Sequence, residues 1–81
     1  DKIKTEKKLN GVEFEVSAFH PLRFEDGLYA VNFHKKGTLS TDENDYFTQV
    51  KAKNNKEAIE KVADEISKRK KDWLEGRKLY P

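Results

Sequence analysis

His20 and His34 stand apart, with no cysteine in the chain and no second histidine at a helical i, i+4 spacing. Thiol catalysis and thiolate metal ligation are therefore excluded, and a transition-metal site is not expected from two isolated imidazoles. The run Thr41-Asp42-Glu43-Asn44-Asp45 gathers hard oxygen donors. It lacks the glycine and the downstream bidentate glutamate of an EF-hand loop, so a solvated turn is the better expectation than a calcium site. Ser17, Ser40 and Ser67 carry hydroxyls, but no G-x-S-x-G elbow or Gly-rich phosphate loop surrounds them. The paired carboxylates fall on strand or turn positions expected to be wet, so catalysis is not expected, and neither is a cofactor or metal.

What remains is the chemistry of contact. Asn32, Phe47, Gln49, Lys51 and Lys53 combine amides, a ring and ammonium groups of the kind that meet base edges and phosphates. Lys68, Lys70 and Lys71 belong to the most basic stretch, residues 68–78, which carries +4, whereas residues 25–45 carry −3. Those lysines are candidate phosphate contacts, although cations at the end of a helix also complement its dipole. Phe19 and Phe24, on a long connection, would join Phe47 as anchors if the partner is a protein. Large apolar groups near element ends, Trp73 and Tyr80 among them, otherwise seal a small core.

The elements that must position these groups follow from periodicity. From Val12 to Ala18, Val12, Phe14, Val16 and Ala18 alternate with Glu13, Glu15 and Ser17, which predicts a strand with one wet face. Pro21 and the turn residues Glu25-Asp26-Gly27 make residues 19–27 a long connection. A second strand is predicted over Leu28–His34 with Tyr29, Val31 and Phe33 on one side. After a polar loop, a third strand over Tyr46–Lys53 turns Tyr46, Thr48, Val50 and Ala52 inward. Asn54 followed by Glu57 fits a helix cap. Ala58, Ile59, Val62, Ala63, Ile66, Trp73 and Leu74 then form one stripe of a helix from Asn55 to Glu75, roughly 30 Å long and projecting beyond the sheet, with Gly76 as its stop.

The expected fold class is α+β: a three-stranded antiparallel sheet followed by one long C-terminal helix, β-β-β-α in two layers. Residues 1–10 read as a flexible basic arm, residues 11–78 as the single domain and residues 79–81 as a tail. With 81 residues the chain holds one core. Its 40% charged against 35% hydrophobic content and mean hydropathy of −1.02 imply a thin one. A net charge of +2 is too small to demand an anionic partner. No apolar run is long enough to span a bilayer. A cytoplasmic location is expected, with secretion left open because a chain without methionine can be a piece of a longer or processed protein.

The strand-to-helix junction Phe47-Thr48-Gln49-Val50-Lys51-Ala52-Lys53-Asn54-Asn55-Lys56-Glu57-Ala58, behind a hairpin, resembles the arm-type DNA-binding domains of phage and transposon tyrosine recombinases. The resemblance covers residues 28–66 and is one of topology; the acidic residues Asp42 to Asp45 depart from it. It implies a sheet laid in the major groove of DNA. The same outline is also similar to antitoxins and small phage-encoded proteins. The expectation is thus a DNA-binding module of a phage or mobile element. The alternative is a protein-interaction domain using the uncovered sheet face or edge. Either would be a monomer or weak homodimer.

Overall fold

Asn10 and Gly11 both adopt positive φ, 50° and 82°, the backbone that lets a two-residue hairpin follow the right-handed twist of its strands. They join strand β1 (Ile3–Leu9) to strand β2 (Val12–Phe19), with Leu9 opposite Val12. Residues 1–10, expected as a flexible arm, thus supply a strand. Ile3 and Leu9 share the inner face of β1 with Thr5 and Lys7, and those polar residues dilute the apolar alternation. Lys7 is accommodated there because its ammonium pairs with Glu60 on the helical layer.

Strands β3 (Leu28–Lys35) and β4 (Asp45–Lys51) continue an antiparallel sheet in the order β1-β2-β3-β4. Residues 2–41 and 43–76 are described by this computed structural model. The expectation of an α+β fold with an antiparallel sheet is met, but with four strands, one principal helix and a short second helix in place of three strands and one long helix. The third predicted strand begins one residue earlier and ends at Lys51, so Lys53 lies in the turn before the helix.

Helix α1 (Asn55–Arg69) starts at Asn54, whose side-chain oxygen accepts the Glu57 amide at 2.8 Å. Glu57 reaches back one residue further than in a standard capping box and accepts the Lys53 amide at 3.0 Å. The apolar stripe Ala58, Ile59, Val62, Ala63 and Ile66 closes over Phe14, Val16, Ala18, Val31 and Phe33. Phe14 and Phe33 meet edge to face, centroids 5.5 Å apart.

The helix does not run on to Glu75. Lys70 leaves helical geometry (φ −125°, ψ 38°), and a short helix α2 (Lys71–Glu75) follows. The contacts of Trp73 account for the break. Its ring stacks on Phe14 at 5.7 Å, its Nε1 donates to the Glu43 carbonyl at 2.8 Å, and the Lys35 ammonium sits 4.7 Å over it. Leu74 is fully buried beside it. The last turns, expected to project, therefore fold back and seal the end of the core, and Gly76 at φ 72° closes them. Arg77, Lys78, Tyr80 and the tail over residues 79–81 lie outside the described residues, as does Asp42.

Candidate functional site

The helices cover one sheet face and leave the other open. Strand register places Lys4, Glu6 and Lys8 of β1, Glu13, Glu15, Ser17 and Phe19 of β2, Leu28, Ala30, Asn32 and His34 of β3, and Asp45, Phe47, Gln49 and Lys51 of β4 on that open face. The arm does not blanket this surface. It widens it by one strand.

Of the residues expected to meet nucleic acid, Asn32, Phe47, Gln49 and Lys51 do form one strip. Asn32 lies opposite Phe47, Ala30 opposite Gln49 and Leu28 opposite Lys51. Phe47 is 61% exposed, high for an aromatic ring on a strand. Lys51 is paired with Glu25 at 3.1 Å. The remaining lysines are elsewhere. Lys53 precedes the helix, and Lys68, Lys70 and Lys71 belong to the helical layer, at the end of α1 remote from Lys53. Lys68 pairs with Asp64 at 3.2 Å, and the Lys70 ammonium lies 5.7 Å from the Tyr46 ring centroid. A rise of 1.5 Å per residue puts roughly 20 Å between the two groups along the helix. Lys68, Lys70 and Lys71 thus stand apart from the strip on the open sheet.

The protein-anchor set is also divided. Phe19 and Phe47 share the open face but stand two strands apart, roughly 10 Å sideways. Phe24 is half-buried in the connection over residues 20–27, where its amide donates to the Pro21 carbonyl at 3.0 Å.

The strands put three lysines, Lys4, Lys8 and Lys51, and four carboxylates, Glu6, Glu13, Glu15 and Asp45, on the open face. Lys2 over the Phe19 ring and Lys36 beside Glu6 bring the lysines to five. The carboxylates concentrate at the end nearest the loop over residues 36–44. Glu6 lies directly opposite Glu15, an unfavourable cross-strand pair. Lys36 folds back over them and pairs with Glu6 at 3.3 Å. That hydrogen bond, with the charges of Glu6, Glu13 and Glu15, raises the Lys36 pKa.

At the same end Asp45 accepts from both β3 neighbours: His34 Nδ1 at 2.7 Å and Asn32 Nδ2 at 3.2 Å. The hydrogen bond to Asp45 is the main cause of a raised His34 pKa, which the charges of Asp45 and Glu15 reinforce and burial opposes. His34 is thus held in place. The Asn32 amide must present nitrogen to the carboxylate, because the flipped amide would set two oxygens against each other. Its oxygen is left shielded without a donor among the described residues. It lines an open depression of about 470 Å³ together with Lys4, Glu6, Glu15, Ser17 and His34. A shielded acceptor in a polar hollow suits a donor from water or from a partner.

β1 contributes Lys4, Glu6 and Lys8 to this surface, and sequence reasoning missed all three. The Asn10-Gly11 dipeptide was the signal that would have found them. Among the described residues no group of three histidine, aspartate or glutamate side chains is placed to hold a metal ion. The described part of the 41–45 turn is tied up internally: Asn44 Nδ2 donates to Leu39 O at 2.9 Å, and the Asn44 and Asp45 amides both donate to Thr41 O at 3.0 Å. Among the described residues no helix is long and apolar enough to cross a membrane. No protein-family model matches the chain, and neither does any curated protein or solved structure.

Proposed function

We propose that this protein is a small non-catalytic binding module that works through the open face and β4 edge of its sheet, with protein as its partner. The charge of that face carries the reading. Four carboxylates are interspersed among its five lysines, and Lys68, Lys70 and Lys71 stand on the other layer. A phosphate backbone selects for concentrated cations, and four carboxylates in its path oppose it. A mixed-charge surface with an exposed ring and an unused amide acceptor suits a protein surface instead.

A second reading, nucleic-acid binding, is favoured by one observation, the continuous strip Asn32, Phe47, Gln49 and Lys51. Titration with short duplex and single-stranded DNA at two salt concentrations separates the two. The expected result is no saturable binding at low salt. Submicromolar binding that weakens steeply with salt would overturn the protein reading.

A further inference from the structure

The two free edges of the sheet are unequally guarded. β1 is lined by Lys4, Lys7 and Lys8 with Glu6, the charge pattern that discourages a strand from adding. β4 has no charged residue and no proline between Asp45 and Lys51. Its backbone polarity follows from the register with β3. Lys35 donates to Asn44 O at 2.9 Å and Ala52 to Gly27 O at 2.8 Å. In an antiparallel ladder the hydrogen-bonded positions alternate, so Tyr46, Thr48 and Val50 bond β3, while the amides and carbonyls of Asp45, Phe47, Gln49 and Lys51 point away from the sheet. Two of these outward groups have partners: the Asp45 amide donates to Thr41 O at 3.0 Å, and the Lys51 carbonyl accepts from Lys61 Nζ at 2.7 Å. These contacts bracket Phe47 and Gln49, whose four backbone groups have no partner among the described residues.

We propose that a second copy of this chain occupies this edge, β4 pairing antiparallel with β4 across a two-fold axis at Thr48; the proposal rests on reading the sheet as a protein-binding surface. The strand is complementary to itself in that register. Overlapping all of Asp45–Lys51 sets Asp45 opposite Lys51 of the other copy, Tyr46 opposite Val50 and Phe47 opposite Gln49. Opposite charges meet twice, and no like charges do. The hydrogen-bonding parity also fits. The outward-pointing positions 45, 47, 49 and 51 become the bonded pairs, and Thr48 becomes a non-bonded pair. The bonds used are those of Phe47 and Gln49, with the Lys51 amide donating to the Asp45 carbonyl, so the contacts of Thr41 and Lys61 persist. The product is one sheet of twice the width with both helical layers on one side.

Sedimentation equilibrium from micromolar to near-millimolar concentration tests the assembly. The expected result is a rise to twice the monomer mass. The chain has no cysteine, so single-cysteine variants read the register. At a non-bonded antiparallel pair the Cα atoms are about 4.5 Å apart, within the range of a disulfide. Thr48→Cys should therefore oxidise to a linked dimer at least tenfold faster than Gln49→Cys or Lys4→Cys. Phe47→Pro removes an outward amide but none that bonds β3, and it should yield a monomer with an unchanged circular dichroism spectrum. A wild-type monomer throughout the range, a Phe47→Pro variant that still dimerises, or equal linking at Lys4 would overturn the proposal. A wild-type monomer would leave the protein-against-DNA question to the titration above.

Discussion

His34 and Asp45 face each other across β3 and β4, with the imidazole Nδ1 2.7 Å from a carboxylate oxygen. The imidazole is protonated more readily in the folded chain than in the unfolded one, because the hydrogen bond and the charges of Asp45 and Glu15 favour the cation. A group whose folded pKa lies above its unfolded value contributes stability that is fully present below the unfolded pKa, about 6.5 for histidine, and is lost as pH rises through the folded pKa. The urea midpoint is expected to fall between pH 6 and pH 8, and His34→Gln should flatten that part of the profile. An equal slope in the variant would assign the pH dependence to other groups.

Trp73 ties three parts of the molecule together: α2, Phe14 of β2 and the Glu43 carbonyl. Trp73→Phe keeps most of the stacking and loses the indole hydrogen bond, for an expected loss of about 1 kcal/mol. Trp73→Ala should lose about 3 kcal/mol, because it also opens a cavity at the end of the core. Urea unfolding followed by circular dichroism measures both. If the two variants lose the same amount, the ring contributes little by packing.

Gly11 has φ of 82°, and a Cβ placed there would meet nothing within 4 Å. Gly11→Ala should therefore lose about 1–2 kcal/mol through backbone conformation alone. Asn10→Gly, which relieves the same constraint at φ 50°, should be nearly neutral. Thermal melts of the two variants make the comparison.

Phe47→Ser should change stability by less than about 0.5 kcal/mol, as at other exposed positions. A loss above about 2 kcal/mol would place Phe47 in the packing of the fold rather than on a free surface.

Much of this architecture was legible from alternation and capping residues. Val12 to Ala18 and Leu28 to His34 divide between the two sheet faces as their periodicity requires, and Asn54 does cap α1. β1 escaped because Thr5 and Lys7 occupy inner positions under the edge of the helical layer, where a lysine can pair with Glu60 instead of being buried. The break at Lys70 was invisible for a different reason. Trp73 and Leu74 continue the helical spacing, and only the tertiary contacts to Phe14, Lys35 and Glu43 redirect the chain. The candidate surface was legible in the strands: Asn32, Phe47, Gln49 and Lys51 are on it as strand parity implies, and the helical positions of Lys68, Lys70 and Lys71 already put them on the other layer of the expected fold.

Because each strand neighbours the next along the chain, the sheet closes through connections of two, eight and nine residues. Short closures lose little chain entropy, so hairpins can zip one after another without a distant search. The long-range closure lies on the C-terminal side, where Trp73 meets Phe14, some sixty residues earlier in the chain, and the fluorescence of this lone tryptophan offers a direct clock for that contact.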